Sequence, residues 1–420
     1  MTSFGFHFFQ GEEDTNEEPA TSVTARNEAT TRTSSSSSSS FCWMPPTQLR
    51  ERLQELAQQD IIYNRITLRE DQSLPEEETD DDDSLSQSLR YVDANVNTSK
   101  TLSNDGPQHE QLESHDRIPG VYEGGGTVWE CSVDLVRYLH AKMSSDYRKT
   151  TATGNVTEKF LDLRMILSLP TTDSSHVRIL ELGCGHALPA CFLLRTVLQY
   201  QQRLADQDTR AASSRTLPRY SFVLVDYNDY VLHGTTVPNI VLNTGDWLDN
   251  ITNLVDDNQD IVNEPEMNAQ RQSLCTVTLG HGDWNSMSTL LLQHSSSDTG
   301  KDTMPCDTFD IILAAETIYS GTAAVDTAEL LFRHLADDGV AFVATKRYYF
   351  GVGGGTESFC EAIHRCNQQH STESIAAAET TPQQSQGPLP LVTETVQVLD
   401  NGRGNIREIL KVNRQSRCLS

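Results

Sequence analysis

The sequence predicts an α/β protein with a doubly wound, mostly parallel sheet, and three observations support that prediction. Short segments of continuous apolar residues recur along the chain, as in strands that are buried on both faces. Helical patterns separate these segments, which is the order of elements in a parallel sheet covered by helices. Two further strand patterns follow around a tight turn, which predicts a C-terminal antiparallel hairpin.

Each predicted element has its own signal. The five apolar segments predicted as strands lie at 177–182, 220–225, 275–279, 309–315 and 340–345. The helical patterns between them, in which apolar residues recur at helical spacing, lie at 187–202, 230–243 and 323–336. The hairpin strands are 393–399 and 406–412, joined by Asp-Asn-Gly-Arg-Gly, whose glycines favour a turn.

Composition divides the chain into two regions. The 420 residues carry a formal net charge of -27 and only 37% hydrophobic side chains, a balance that indicates a folded part beside disordered sequence. A serine run at 34–40 and an acidic block at 76–83 lie within residues 1–116. We expect this region to be largely disordered, with a short amphipathic helix at 47–62, and the folded domain to cover 117–420.

Polar insertions interrupt the folded domain. They are rich in Gln, Ser, Asp or Thr, and we expect them to form surface loops that are disordered in whole or in part. They lie near 203–218, 252–272, 294–307 and 367–389.

Charge and cysteine usage narrow the possible classes of protein. Binding to nucleic acid or to an anionic membrane requires a positively charged surface. Since the chain is acidic, we expect neither partner. The nine cysteines form no CxxC pair, and no apolar run reaches the roughly 18 residues of a membrane helix, which favours a soluble intracellular protein. Cys360, His364, Cys366 and His370 have roughly helical spacing, but without a close pair they indicate a helix face, and no metal is predicted.

The strongest motif is Glu-Leu-Gly-Cys-Gly-His-Ala at 181–187. A predicted strand ends at Glu181, and a turn containing Gly183 and Gly185 opens the next helix, so that a ligand can lie against bare backbone at the carboxyl edge of the sheet. A carboxylate here would repel the phosphates of a dinucleotide and favours the cationic methionyl end of S-adenosylmethionine. The alternative is an ordinary turn between a strand and a helix.

Acidic residues also follow the next two strands. Asp226, followed by Tyr227 and Asn228, stands where a carboxylate accepts hydrogen bonds from a ribose diol. The motif Gly-Asp-Trp at 282–284 offers a carboxylate to the adenine amino group and an aromatic ring to the base. Asp283 fits equally well as the cap of the following helix.

The fourth strand ends in Ala-Ala-Glu-Thr-Ile-Tyr at 314–319. Because the strand ends at this edge surround the reacting group, Glu316 and Tyr319 are predicted to be catalytic, with a helix cap as the alternative role of Glu316. Upstream, Trp129 follows a run of three glycines, which permits close approach to a ligand, unless the ring is simply a core aromatic.

Together these motifs resemble the histidine protein methyltransferases, a family of seven-β-strand enzymes. The resemblance runs from about Ile118 to Val412, and its most specific pieces are VYEGGGTVWEC at 121–131 and YFGVGGG at 349–355. It implies a seven-stranded class I methyltransferase (Rossmann-like) sheet and S-adenosylmethionine as cofactor. It also implies N-methylation of a histidine in a large-subunit ribosomal protein.

The motifs and the resemblance assign site residues position by position. Those expected at the cofactor are Val128, Trp129, Glu130, Cys131, Ser132, Glu181, Gly183, Gly185, Asp226, Tyr227, Asn228, Gly282, Asp283, Trp284 and Ala315. Candidates for shaping the substrate groove are Tyr348, Tyr349, Phe350 and the loop 351–355. Two positions depart from the family pattern, since Ala187 stands where a glycine is common and Ala315 where a serine is frequent.

The expected reaction is the methylation of a protein histidine. A neutral imidazole needs no strong base to attack a methyl group, and we expect Glu316 to accept its other N–H and so select the tautomer. The alternatives are a lysine protein methyltransferase and a non-catalytic assembly or scaffold protein, while Ala187 and the terminal hairpin disfavour a Rossmann dehydrogenase. We expect a monomer of the cytoplasm and nucleus whose partner is a basic ribosomal protein.

Overall fold

A computed structural model describes the chain in separate segments. They are residues 40–59, 61–68, 88–92, 126–152, 176–207, 219–245, 275–295, 307–380, 388–400, 402 and 404–415. These segments all belong to one compact unit, Ser39–Ser420. The insertion predicted at 252–272 and most of residues 1–116 lie outside the described residues.

Ten strands occur within the described residues and are numbered along the chain. They are β1 (Cys42–Trp43), β2 (Tyr63–Thr67), β3 (Ser88–Val92), β4 (His176–Leu182), β5 (Arg219–Asp226), β6 (Cys275–His281), β7 (Phe309–Ala315), β8 (Leu335–Lys346), β9 (Leu391–Asp400) and β10 (Ile406–Arg414). β2 and β3 form a separate two-stranded sheet, and the other eight strands share one sheet.

Seven strands of the large sheet form the predicted arrangement, in the order β6-β5-β4-β7-β8-β10-β9. β4 to β8 pair in parallel, whereas β10 runs antiparallel between β8 and β9. This order confirms the class I methyltransferase sheet with its terminal hairpin. The short strand β1 was not predicted. It pairs antiparallel with β6 and makes the sheet eight-stranded.

Helices connect the strands. Within the described residues they are α1 (Pro46–Ala57), α2 (Glu130–Ala152), α3 (Leu188–Gln207), α4 (Asp229–Val231), α5 (Val237–Thr244), α6 (Trp284–Ser295), α7 (Gly321–His334) and α8 (Thr356–Thr380). Among these described helices, none combines the length and the hydrophobicity that crossing a membrane would require.

Several helical regions depart from their predicted bounds, and the pattern at 323–336 forms α7, which ends at His334 where β8 begins. The pattern at 230–243 is divided into α4, a π-helical turn at Leu232–Thr236 and α5, where Pro238 cannot donate a hydrogen bond to the preceding turn. α3 and α8 continue into two predicted insertions, as far as Gln207 and Thr380, because these polar segments consist largely of helix-forming residues such as Gln, Glu and Ala. Polarity by itself therefore does not identify a loop.

Helices cover the large sheet on both faces, which confirms the doubly wound prediction. α1, α2, α3 and α5 bury their apolar side chains in one cluster, which includes Leu139 and Leu193. α6, α7 and α8 contribute to a second cluster, which includes Leu291, Leu331 and Phe359. Since helices occupy both faces, a ligand reaches the sheet where its parallel strands end.

Residues upstream of the predicted domain boundary at 117 contribute to the first cluster. Helix α1 buries Leu49, Leu53 and Leu56, the residues whose spacing predicted a helix at 47–62. The helix ends at Ala57, and its apolar face packs among the core side chains of the sheet. Burial of a leucine side chain stabilises a fold by about 1.5–3 kcal/mol, so α1 contributes to the stability of the whole unit.

Strand β3 is attached to α5 by two asparagine side chains. Oδ1 of Asn239 accepts the backbone N–H of Val92 at 2.8 Å, and Oδ1 of Asn243 accepts that of Arg90 at 3.0 Å. Each of the two side-chain amides thus satisfies a backbone donor of β3, in addition to the pairing of β3 with β2.

Candidate active site

The turn between β4 and α3 has left-handed backbone at three positions. Gly183, Gly185 and Ala187 have φ angles of 57°, 48° and 50°, a region that glycine enters freely and other residues enter at a cost of about 1–2 kcal/mol. A Cβ atom on Gly183 would lie 3.2 Å from Cγ2 of Thr317 and 3.5 Å from the ring of Trp284. The turn therefore presents bare backbone. Ala187 has the left-handed backbone that glycine adopts most easily, which explains why glycine is common at this position.

Glu181, at the end of β4, is buried below the helix that follows. Its Oε2 accepts the backbone N–H of Ala190 at 2.9 Å, in the first turn of α3, where a carboxylate satisfies an otherwise free helix donor. Burial raises the pKa of the Glu181 carboxyl to about 8, while the hydrogen bond from Ala190 opposes the rise. The contact seen is with α3, and a contact of Glu181 with a cofactor stays a prediction.

Asp226, at the end of β5, holds the glycine turn in place. Its Oδ2 accepts the N–H of Gly185 at 3.0 Å, and its Oδ1 accepts the N–H of Asn228 at 3.0 Å. Burial raises the pKa of the Asp226 carboxyl, and the hydrogen bonds from Asn228 and Gly185 oppose the rise. Oδ2 keeps a second lone pair, so the carboxylate can still accept from a ligand hydroxyl.

The Gly-Asp-Trp motif leads into α6. Oδ1 of Asp283 accepts the N–H of Ser286 at 2.9 Å and its hydroxyl at 3.1 Å, so the helix-cap role is confirmed. Because the cap uses one of two carboxylate oxygens, it leaves room for a ligand contact. Nε1 of Trp284 is buried and has no hydrogen-bond partner within the described parts of the chain.

Glu316 follows β7 with a left-handed backbone, at φ 57°, and such strain in a residue other than glycine is often found at functional sites. Its N–H donates to the carbonyl of Ala344 at 2.9 Å, and its Oε2 accepts the hydroxyl of Tyr349. The ammonium of Lys346 lies 3.7 Å from Oε1. Among the described residues, buried Oε1 has no hydrogen-bond partner, so it is available to a group that enters the site.

These residues surround one cleft of about 320 Å³, a volume within the usual range of small-molecule sites. Glu181, Asp226 and Asp283 come from three strand ends and converge there beside the glycine turn. The predicted site residues that line the cleft are Trp129, Ser132, Glu181, Gly183, Gly185, Asp226, Tyr227, Asp283, Trp284, Ala315, Glu316 and Tyr319.

Five predicted cofactor contacts are absent from the lining of this cleft. They are Val128, Glu130, Cys131, Asn228 and Gly282. The motifs lie around this cleft, but within a motif only some side chains line it while others pack on the protein.

The contacts of four of these residues explain their absence. Val128 packs against the core, where Cys131 is fully buried, and the buried Asn228 orients Asp226 as described above. A Cβ atom on Gly282 would lie 2.8 Å from Cα of Phe41, so this glycine makes room for the segment that carries β1. For Glu130 the structure gives one polar contact, from Nδ2 of Asn405 at 3.4 Å.

The cleft also contains residues that sequence reasoning did not assign. They are Thr127, Cys184, His186, Thr317, Ser320, Thr322, Ala323 and Asp326. Thr127, Cys184, His186 and Thr317 lie inside the quoted motifs, so a wider reading of those motifs would have found them.

Asp326 could not have been found from a motif, because it lies on α7 within a regular helical pattern. Burial raises the pKa of its carboxyl, against a hydrogen bond from Asn285, whose Nδ2 is 3.5 Å away. The negative charge of Asp283 raises it further. The α6 and α7 side of the cleft therefore carries two neighbouring carboxyl groups.

One group of possible metal ligands occurs within the described residues, between α7 and α8. Glu329, Cys366 and His370 place their ligand atoms within 4.8 Å of one another. Glu329 already lies 3.3 Å from Arg333 and 3.4 Å from His370, and the His370 ring stacks on Phe332. Since an arginine beside the carboxylate opposes the approach of a dication, we assign no metal to this group.

Comparison with solved structures gives only weak likenesses. A TehB-like SAM-dependent methyltransferase from Corynebacterium glutamicum aligns over 66% of this chain and 98% of its own, at 11% identity and a TM-score of 0.27. The mitomycin 7-O-methyltransferase MmcR aligns over 68% of this chain and 71% of its own, at 12% identity and a TM-score of 0.28. The fold assignment therefore rests on the strand order of the large sheet. No protein family model matches the chain.

Comparison with curated proteins finds relatives of the family that the motifs resemble. The chain is 26% identical over 303 residues to histidine protein methyltransferase 1 homolog of Dictyostelium discoideum, covering 72% of this chain and 61% of that protein. It is 29% identical over 268 residues to histidine protein methyltransferase 1 of Saccharomyces cerevisiae, covering 59% of this chain and 58% of that protein. The chain thus spans about three fifths of the length of these relatives. By these relationships and by its motifs, the chain is similar to the histidine protein methyltransferases.

Proposed function

We propose that this protein transfers a methyl group from S-adenosylmethionine to a histidine side chain of another protein. The observation that carries the proposal is the convergence of Glu181, Asp226 and Asp283 beside the glycine turn, with Glu316 in the same cleft. The relatives named histidine protein methyltransferases support the choice of acceptor.

The cleft has features that suit S-adenosylmethionine. Bare backbone at Gly183, where a side chain would crowd Thr317 and Trp284, lets a ligand lie close to the turn. The carboxyl group of Glu181 is mostly protonated at neutral pH because its pKa is raised to about 8. The other acidic side chains of the lining favour a ligand with cationic sulfonium and ammonium groups and disfavour the phosphates of a dinucleotide. In this proposal Asp226 accepts from the ribose hydroxyls, Asp283 accepts from the adenine amino group, and Trp284 packs on the base.

The bound cofactor would supply a methyl group on a positively charged sulfur, open to in-line displacement. A neutral imidazole, with a pKa of about 6.5, carries a lone pair on one nitrogen and an N–H on the other. Oε1 of Glu316 accepts that N–H, which selects the tautomer and holds the lone pair toward the methyl carbon. The nitrogen–carbon bond would form as the sulfur–carbon bond breaks, with the neutral thioether of the cofactor as the leaving group. The methylated ring would then release the N–H proton to Glu316 or to solvent.

The proposed partner is a basic protein of the large ribosomal subunit. The family resemblance implies this substrate, and a net charge of -27 favours association with a basic protein over an acidic one. The proposal includes action in the cytoplasm and nucleus, as a monomer, without direct binding of nucleic acid or membrane.

The test is to incubate the purified chain with methyl-labelled S-adenosylmethionine and a cell extract, and then to identify the labelled amino acid by hydrolysis and mass analysis. We expect labelled methylhistidine in one or a few basic proteins. At a limiting concentration of S-adenosylmethionine, Asp226→Ala should reduce the labelling, while Asp338→Ala, which removes an exposed carboxylate at the start of β8, should preserve it.

Other results would support the alternatives. Labelled methyl-lysine without methylhistidine would identify a lysine methyltransferase. A chain that binds no S-adenosylmethionine by calorimetry and labels no protein would fit the scaffold alternative and contradict the proposed function.

A further inference from the structure

The loop 347–355, between β8 and α8, packs against the strand end that carries Glu316. The N–H of Gly355 donates to the carbonyl of Ile318 at 2.9 Å, and the N–H of Tyr349 donates to that of Gly354 at 3.3 Å. Ser320 and Gly353 also form an isolated antiparallel bridge. The loop is therefore folded onto the segment that follows β7.

The glycines of this loop are explained by that packing. A Cβ atom on Gly354 would lie 2.2 Å from the carbonyl carbon of Tyr319. Gly355 has a φ of 112°, and a Cβ atom on it would lie 2.3 Å from the carbonyl oxygen of Arg347. Gly354 and Gly355 therefore allow close contact between backbone segments of the protein. No residue of 347–355 lines the cleft, and the role of this loop in a substrate groove stays a prediction.

Both ends of the loop are fixed to β10 through one buried carboxylate. Nε of Arg347 donates to Oε1 of Glu408 at 2.9 Å, and the hydroxyl of Thr356 donates to Oε2 of the same residue at 2.5 Å. The N–H of Thr356 also donates to the carbonyl of Arg347 at 3.2 Å. Charge-assisted bonds of this kind are among the stronger ones in proteins, so the loop has a rigid base.

The loop directs the Tyr349 hydroxyl to Glu316. That hydroxyl oxygen lies 3.3 Å from the backbone N of Lys346, which donates to it, and its own O–H donates to Oε2 of Glu316. Burial, and next the negative charge of Glu316, raise the pKa of the Tyr349 phenol well above its ordinary value. The phenol therefore stays protonated and remains a donor.

We propose that Tyr349 is a positioning residue of the methyl transfer, which holds Oε2 of Glu316 so that Oε1 meets the N–H of the target imidazole. Oε1 is suited to that role because the Glu316 side chain is only 7% exposed and this oxygen has no hydrogen-bond partner among the described residues. Oε1 already lies 3.7 Å from the ammonium of Lys346, and without the tyrosine the carboxylate can rotate closer to that ammonium and away from the imidazole. This inference rests on the proposed function and adds a residue that acts through Glu316.

Tyr63 on β2 provides a matched control. Its hydroxyl accepts from Arg65 at 3.2 Å, and the residue does not line the cleft. Tyr63→Phe therefore removes the same hydroxyl group from a tyrosine that has no contact with Glu316.

The experiment compares the wild-type chain with Tyr349→Phe, Tyr63→Phe, Glu316→Gln and the Glu316→Gln/Tyr349→Phe double variant. Labelled methyl transfer to histidine in a fixed cell extract gives turnover at saturating S-adenosylmethionine, and titration of that cofactor gives its KM. We expect Tyr349→Phe to lower turnover about tenfold, the effect of losing one hydrogen bond to a charged group, with an unchanged cofactor KM. Tyr63→Phe should behave as wild type, and the double variant should be no slower than Glu316→Gln alone, because Tyr349 acts through Glu316.

Two results would overturn the inference while the proposed function stands. One is wild-type turnover in Tyr349→Phe, and the other is a double variant slower than Glu316→Gln by the full single-variant factor, which would indicate a general structural role. Melting temperatures of all variants identify losses of folding, and Tyr349→Phe should melt within a few degrees of wild type. A wild-type chain that methylates no histidine would instead contradict the proposed function, and the inference with it.

Discussion

The two ends of the cleft hold their carboxylates by different means. At the glycine turn, Glu181 and Asp226 accept backbone N–H groups, from Ala190 and Gly185 among others. At the end of β7, Glu316 accepts the side-chain hydroxyl of Tyr349, 33 positions along the chain. The first set of donors belongs to the turn, whereas the second depends on a loop fixed to another strand.

In the proposed function this difference separates cofactor binding from methyl transfer. Backbone donors at the turn fix the carboxyl groups wherever the turn forms, which suits the proposed cofactor site, whose shape must not change. A side-chain donor on one oxygen of Glu316 leaves the other oxygen able to accept from the target imidazole in the proposed reaction. We therefore expect changes at the turn to affect cofactor affinity or folding, and changes at Glu316 to affect turnover.

Glu316→Gln tests the β7 end and should have the largest effect. Removing the negative charge weakens the acceptor for the imidazole N–H and for the cationic methylated ring, so we expect turnover to fall about 100-fold with unchanged cofactor affinity. Labelled methyl transfer and calorimetry provide the measurements, and Glu361→Gln on the exposed face of α8 is the control. Unchanged turnover would remove Glu316 from the mechanism.

Asp226→Ala tests the turn end. It removes a charged acceptor of two backbone N–H groups and of the proposed ribose contact, so the affinity for S-adenosylmethionine should weaken at least about tenfold. Calorimetry measures the change, with the exposed Asp338→Ala as the matched control. Equal affinity in both variants would count against the ribose assignment and against a separate binding end.

The pH dependence of stability tests whether Glu181 is as buried as the geometry indicates. Its pKa is raised from 4.5 to about 8, so between these values the folded protein holds a proton that the unfolded chain has lost. The contribution of Glu181 to the free energy of unfolding should therefore fall as pH rises from about 4.5 to about 8, by at most about 1.4 kcal/mol per pH unit. Urea denaturation across this range should show a shallower fall in Glu181→Gln, and identical profiles would mean that Glu181 titrates normally.

Ala187→Gly should have the smallest effect and the opposite sign. Glycine relieves the left-handed strain at φ 50° but adds entropy to the unfolded chain, so we expect a net stabilisation of about 0.5 kcal/mol. The same substitution at Ala190, inside α3, should destabilise by about 1 kcal/mol. Urea denaturation compares the two, and destabilisation by Ala187→Gly would show that the alanine is not strained.

The sequence was sufficient for the sheet and for the carboxylates at its edge. Strands buried on both faces are continuously apolar, and parallel strands end at one edge, so Glu181, Asp226 and Asp283 could be expected to meet. The helix cap at Asp283 could also be expected, since a single residue and its spacing to Ser286 specify it.

Contacts between distant segments could not be predicted. The bond from Tyr349 to Glu316 depends on how the 347–355 loop folds. Asp326 lies on α7, where the spacing of the apolar residues predicts only which face of the helix is buried. The packing of α1 depends on a partner surface made by other helices. Local spacing fixes the elements, whereas these contacts depend on the loops and on three-dimensional assembly.

The asparagine contacts between α5 and β3 bear on where the protein can be shortened. A chain starting at 117 would leave Asn239 and Asn243 without the β3 groups that they bind, and it would uncover apolar surface that the α1 leucines now shield from water. Such a chain should be prone to aggregation. Recombinant material for crystals or assays should therefore begin ahead of Ser40, even though the family motifs start some eighty residues later.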